Sequence, residues 1–242
     1  MLVSAEAVYN TPLMSDWTRT DFEVRQLAPE ETREAAGLHE RELPHEFLTR
    51  FGTAFLARYY GAFAESPDAV ALAAVDTHSG DLEGVLIATF DTRAHYSNLV
   101  RLHGSALARH VALQALRHPS LARDLIKTRL LRYARGILRS LTRGSKPERN
   151  ENTSPDSPAE RVGFLTYVAV SGEHRGRGIG GALLEAYERM AREAKLDRLE
   201  LVTTPDERGA GPFYLRAGWT YAGERVSQSG ERYALYIRVL DN

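Results

Sequence analysis

Ser171-Gly-Glu-His-Arg-Gly-Arg-Gly-Ile-Gly180 is the stretch on which the reading of this 242-residue chain turns. Ahead of it, Gly163 to Val170 is an apolar run of strand length. Behind it, Ile179 to Ala194 places Leu183, Leu184, Tyr187 and Met190 on one face, the pattern of an amphipathic helix. The glycines let the backbone pass close to a ligand and turn its N–H groups inward. The helix behind them offers unpaired N–H groups and the positive end of its dipole. Arg175 and Arg177 add full charges. Strand, glycine turn and helix N-terminus together predict an anion site suited to a pyrophosphate.

A dinucleotide reading competes. Gly176, Gly178 and Gly181 satisfy GxGxxG, and Glu200 follows about twenty residues on, where a ribose-binding acid would stand. In that motif the glycines follow the strand at once, whereas five residues, Ser171 to Arg175, intervene here. No repeated βαβ series surrounds the unit either.

Some thirty residues further lies Ala210-Gly211-Pro212-Phe213-Tyr214-Leu215-Arg216-Ala217-Gly218-Trp219. The two stretches together resemble the GNAT superfamily of N-acetyltransferases. Arg175-Gly176-Arg177-Gly178-Ile179-Gly180 is similar to that family's acyl-CoA signature, Gln/Arg-x-x-Gly-x-Gly/Ala. The later stretch is similar to its Ala-x-x-Phe-Tyr-x-x-x-Gly-Phe element. The resemblance covers residues 160 to 240 well, and 22 to 91 only by the order strand, two helices, two strands; it does not cover 93 to 159. It implies an α/β fold, a mixed and mostly antiparallel sheet flanked by helices, in which the strand before the signature splays from its neighbour and CoA enters the gap. It implies that Val168 and Val170 pair with the pantetheine amides through backbone groups. Arg175, Gly176, Arg177, Gly178, Ile179 and Gly180 would take the pyrophosphate, and Tyr214 would protonate the leaving thiolate. A phenol with a pKa near 10 can donate that proton as the thiolate forms.

Two departures stand out. Family members often carry an Asn before the second element, where this chain has Asp206 and Glu207. Some place a Glu base on the strand before the signature, but Phe164-Leu165-Thr166-Tyr167-Val168 offers no carboxylate. Proton removal from the acceptor amine then needs water, a backbone carbonyl or a residue from elsewhere. Glu42 and His45, flanking Pro44 in the turn that lines the acceptor site in the family, are the candidate bases; each also reads as an ordinary surface residue.

Working outward, Phe22 to Leu27 alternates as a half-buried strand, and Pro29-Glu30-Glu31 opens a helix. A second helix is expected from Glu46 to Ala64, with Phe47, Phe51, Phe55 and Tyr59 as a core stripe. Val70 to Val75 and Gly84 to Phe90 read as strands joined at His78-Ser79-Gly80-Asp81. After the signature helix come a strand at Leu199 to Thr203, a short helix at Gly211 to Arg216 and strands at Trp219 to Glu224 and Arg232 to Val239. Residues 1–20 read as a flexible extension, with Met14 the expected physiological start, and 21–242 as one domain with a helical insertion at 92–143 and a mobile linker at 144–160.

The insertion reads as two helices parted at His118-Pro119-Ser120, with Leu99, Leu102, Ala106 and Leu107 recurring at helical spacing. Over 93–143 eleven bases face one acid, Asp124, so this segment carries +10 while the whole chain carries −1. The arginines are either a solvated face or a docking surface for an anionic acceptor, an acidic carrier protein or an anionic membrane. The charges lack interleaved aromatics, so nucleic acid is not expected. His95, His103, His110 and His118 recur without carboxylates and predict no metal site. GNAT-like chains with such insertions resemble acetyltransferases of polysaccharide biosynthesis, which points toward an amino sugar.

The absence of cysteine excludes a thiol nucleophile and disulfides, and fits a cytoplasmic protein. The resemblance implies an acyl-CoA-dependent N-acyltransferase, with acetyl-CoA as cosubstrate, no metal and a small-molecule primary amine as acceptor. The reaction is expected to be direct in a ternary complex, since no covalent nucleophile is on offer. A non-catalytic acyl-CoA-binding module and an enzyme using an acyl-carrier protein are the alternatives. Sheet edges near the C-terminus would allow a homodimer.

Overall fold

The computed structural model describes residues 21–117, 160–205, 210–226 and 230–241. The expected N-terminal extension, the second insertion helix and most of the linker lie outside these residues.

Seven strands form one sheet: β1 (Phe22–Gln26), β2 (Ala69–Asp76), β3 (Leu82–Thr89), β4 (Val162–Val170), β5 (Arg198–Thr203), β6 (Thr220–Val226) and β7 (Arg232–Val239). Their spatial order is β1-β2-β3-β4-β5-β7-β6, and every pairing is antiparallel except β4–β5. This is the mixed, mostly antiparallel sheet that the resemblance implies. Parallel neighbours need a crossover, and α4 (Ile179–Glu193) supplies it. The outermost strand near the C-terminus, β6, is exposed along most of its length.

Helices cover both faces. On one lie α1 (Thr32–Glu42) and α2 (Thr53–Ala64), packed with Leu38, Leu56, Tyr60 and Phe63 over Ala71, Ala73, Val85 and Ile87. On the other lie α4 and α5 (Gly211–Arg216), where Ile179, Leu183, Tyr187, Tyr214 and Trp219 meet Leu72, Leu86 and Leu165. The central strands β2 and β3 are buried on both faces, which explains their nearly unbroken apolar runs. Truncating a side chain such as Phe63, with 0% exposure, would cost roughly 3–5 kcal/mol.

The helix expected over Glu46 to Ala64 is broken. Leu48–Phe51 forms a 3-10 turn, and α2 begins only after Gly52, whose φ of 81° lies outside the helical region. The aromatic stripe survives the break. Phe51, Phe55 and Tyr59 are buried and Phe47 packs beside them, because the 3-10 turn still aims Phe47 and Phe51 at the same core.

The described part of the insertion is one helix, α3 (Thr92–Arg117), docked on α2. Leu99, Leu107, Val111 and Ala115 make the seam, and Tyr59 Oη and Tyr96 Oη stand 3.0 Å apart. Leu102 does not join it; at 64% exposure it stands to one side of the four-residue step that the seam follows. Arg93, Arg101 and Arg109 are exposed, the solvated arrangement expected of a basic face. No described helix is long and apolar enough to cross a membrane.

Candidate active site

The parallel pair β4–β5 holds together only at Val162, Gly163 and Phe164, opposite Arg198, Leu199 and Glu200. Beyond Phe164 the β5-facing edge of β4 has no strand partner, so a gap opens toward the C-terminal ends of both strands. A β-bulge marks the parting. Ile87 and Ala88 of β3 oppose Tyr167 and Leu165, leaving Thr166 as the extra residue. The bulge resets the alternation. Leu165, Val168 and Val170 face the α4 side, while Tyr167 and Ala169 face α1 and α2. The Thr166 Oγ1 is buried with no hydrogen-bond partner. Nothing in the sequence pattern marked that residue.

At the open end the chain passes through a 3-10 turn, Gly172–His174, and reaches α4. Gly176 and Gly178 have φ of 80° and 89°, a region closed in practice to side-chain-bearing residues. Gly178 is the N-cap of α4, so the N–H groups of the first turn point out of the helix end beside the gap. Gly180 is tight for another reason: a Cβ there would stand 3.1 Å from the Phe213 ring. Thus α5 packs directly on the first turn of α4 and brings the next residue, Tyr214, into the same corner. Tyr214 is 6% exposed, and its ring lies 6.0 Å from Trp219 and 5.9 Å from Tyr236. Burial raises its phenol above the ordinary value, which makes it a weaker acid than a solvated tyrosine.

The two loop arginines do not stand as the uncompensated charges that the sequence suggests. Arg175 Nη2 lies 2.6 Å from Glu42 Oε2 at the end of α1, and the Gly172 N–H donates to Glu42 Oε1 at 3.0 Å. Arg177 Nη1 lies 2.8 Å from Glu83 Oε1 on β3, and its Nη2 is 3.6 Å from Asp21. Glu83 is 1% exposed, sits 3.2 Å from His174 Nδ1, and through its main-chain oxygen accepts the Ser171 N–H at 2.8 Å. Glu42 and Glu83 thereby strap five loop residues to the body of the protein, four through their carboxylates and Ser171 through the main-chain oxygen of Glu83. Anion attraction here rests chiefly on the backbone N–H groups and the helix dipole. Glu83 was not anticipated as a site residue, yet it is the lone charge in the apolar strand run from Leu82 to Ala88, which is the mark by which it can be found.

The two candidate bases differ. Glu42 has both oxygens engaged as described. His45 is exposed in the turn after α1. A buried imidazole lies under β4: His39 Nδ1 is 3.0 Å from Tyr60 Oη, its ring meets Tyr167 at 4.7 Å, and its Nε2 has no partner. Burial lowers its pKa to about 4, so it is neutral at physiological pH.

A cleft of about 630 Å³ lies away from this corner, between the start of α1, α2 and α3. Its lining includes Arg33, Arg58, His103 and His110 and none of the loop residues. Among the described residues no cluster of His, Asp and Glu could hold a metal ion.

A strand pair that parts above a bulge, with a glycine turn and helix N-terminus at its mouth, defines the class of acyl-CoA acyltransferase folds. Residues 143–219 match the model of the acetyltransferase (GNAT) family. No curated protein matches the chain. Solved structures share its fold at low identity. An aminoglycoside 6'-N-acetyltransferase complexed with coenzyme A is 12% identical, with 91% of this chain and 98% of that one covered and a TM-score of 0.53. A spermidine N-acetyltransferase chimera from Vibrio cholerae and hSSAT is 10% identical, covering 90% and 95%, with a TM-score of 0.54. A GNAT acetyltransferase from Streptococcus pneumoniae is 14% identical, covering 91% and 99%, with a TM-score of 0.50. The match over residues 143–219 and the fold shared with these structures agree: the chain has the GNAT fold.

Proposed function

We propose that the protein transfers an acyl group, in the first instance acetyl from acetyl-CoA, to a primary amine of a small molecule. The observation that carries this reading is the parting of β4 from β5 after Phe164, with the first turn of α4 at its open end. The pyrophosphate would lie on the N–H groups of 176–180, and the pantetheine would run along the unpaired edge of β4 at Val168 and Val170. The amine attacks the thioester carbon, the tetrahedral intermediate loses its extra N–H proton to water and collapses, and the C–S bond breaks. Tyr214 gives its proton to the thiolate and is reprotonated from solvent. The acceptor must first lose a proton; we assign this to His45, to water, or to Glu42 where its contact with Arg175 is given up.

An amino-sugar acceptor is the more specific version. The exposed Arg93, Arg101 and Arg109 of α3 support it by offering cations to an anionic substituent such as a nucleotide. The test is a mass-spectrometric screen of amines and amino sugars with acetyl-CoA, looking for one acetyl group gained. Failure on every amine with CoA binding intact would favour a non-catalytic binding module. Weak CoA binding beside tight binding of an acyl-carrier protein would make the carrier the donor.

A further inference from the structure

We infer that Glu42 is a positioning residue that holds Arg175 in place of the cosubstrate's phosphate when the site is empty, and releases it when acyl-CoA binds. The inference rests on the assignment of the CoA pyrophosphate to this loop.

The two loop arginines are held in unlike ways. The Arg177–Glu83 pair has its carboxylate sealed at 1% side-chain exposure and its guanidinium at 34%, with a second carboxylate, Asp21, at 3.6 Å. Parting it would strand a buried charge, which is strongly unfavourable. The Arg175–Glu42 pair is open: the guanidinium is 63% exposed and the carboxylate 15%. When Arg175 leaves, Glu42 keeps the Gly172 N–H at 3.0 Å and remains in reach of water. Exchange therefore costs little at this pair and much at the other.

Geometry adds the competition. Arg175 starts the segment whose N–H groups converge on the anion site, and a guanidinium fork suits a phosphate as well as a carboxylate. Nη2 of Arg175 lies 2.6 Å from Glu42 Oε2, so a phosphate that draws the guanidinium away from the end of α1 competes with the carboxylate for it. Until then Glu42 keeps Arg175 ordered and part of its charge compensated. A ligand without the pyrophosphate leaves the clasp closed and the Glu42 carboxylate engaged. Because Glu42 closes α1 just before the turn bearing His45, its release leaves a carboxylate on the side where the cationic amine is expected to approach. Binding of acyl-CoA would thus prepare the acceptor site, and by linkage the amine would tighten acyl-CoA.

The experiment is a titration of CoA by calorimetry into the wild type, Glu42→Gln, Arg175→Ala and the double variant. Glutamine can still accept the Gly172 N–H while losing the charge that competes for Arg175. Expected is CoA binding at least about fivefold tighter in Glu42→Gln than in the wild type, with the gain abolished in the Arg175→Ala background. Affinity unchanged or weaker in Glu42→Gln, or an equal gain without Arg175, overturns the inference, since general electrostatics or loop support would then explain the data. A wild type that does not bind CoA at all instead sinks the site assignment. A crystal structure of the wild type with CoA gives a second readout independent of the variants. Arg175 on phosphate and parted from Glu42 supports the exchange, and an intact clasp beside bound CoA refutes it.

Discussion

Arg177 and Glu83 form a pair in which one partner is sealed and the other sees water. Nη1 and Oε1 stand 2.8 Å apart, with side-chain exposures of 34% and 1%. The carboxylate comes from β3 in the middle of the sheet, and the guanidinium from the glycine loop proposed to hold the pyrophosphate. Glu83 thus fixes that loop against the sheet before any ligand arrives. Glu83→Ala is expected to lower stability by about 2–4 kcal/mol, because a guanidinium loses a sealed partner and the strand gains a void. CoA affinity should fall about tenfold or more as the loop loses its preset shape. Urea unfolding and calorimetry read the two effects; a loss confined to stability would show that the strap does not shape the site.

Tyr214→Phe should fold normally, since the ring packs against Phe213, Trp219 and Tyr236 and its hydroxyl supports no described hydrogen bond. The acyl-transfer rate should drop by about 100-fold or more, with CoA affinity within twofold or so of wild type. Steady-state kinetics on an identified amine, paired with CoA titration, checks both. A rate within about threefold of wild type would remove Tyr214 from the mechanism.

Gly178→Ala tests the turn itself. At φ 89° a Cβ is strained by roughly 1–2 kcal/mol, and the strain falls on the N-cap of α4. The expected result is a modest loss of stability, measured by thermal unfolding, with a larger proportional loss of CoA affinity, because relief of the strain turns the N–H groups of the first turn away from the ligand.

His39 and His95 predict an acid-sensitive fold. Both have pKa values lowered to about 4 by burial, with His103 adding a smaller push on His95. Unfolded histidine titrates near 6.5, so between about pH 6.5 and 4 the unfolded chain binds more protons than the folded one. Stability is therefore full above about pH 6.5 and falls as pH drops through that window, by an amount of order 3 kcal/mol for each residue. Both ring nitrogens of His95 are buried without hydrogen-bond partners, against Phe63 at 4.1 Å and Tyr96 at 5.1 Å. His95→Phe should stabilise the protein by about 1–2 kcal/mol at neutral pH and flatten the acid limb. Thermal melts from pH 4 to 7.5 on both proteins would show it; a destabilised variant with an unchanged acid limb would mean that His95 is not the source.

Much of the fold was legible because its signals are local. The four-residue aromatic repeat from Phe47 to Tyr59 marks a buried face whether or not the helix is continuous, and the apolar runs of β2 and β3 mark strands covered twice. The break at Gly52 was not legible, since a glycine within a helical pattern is tolerated more often than it interrupts. Leu102 was placed with Leu99 and Leu107 on spacing alone, but which stripe of a helix is covered depends on where its neighbour lies.

What the chain by itself determined is the glycine turn between a strand and a helix, because positive φ and a bare helix N-terminus are properties of a few consecutive residues. What only the tertiary structure decided is the company that turn keeps. Glu42 and Glu83 lie 133 and 94 residues from the arginines they meet, and the gap beside β4 opens where Thr166 bulges out of the β3 pairing. Charge pairing and strand parting act through space and leave no periodic trace along the chain. The local pattern therefore marks an anion site, and only the packed structure shows how its charge is held.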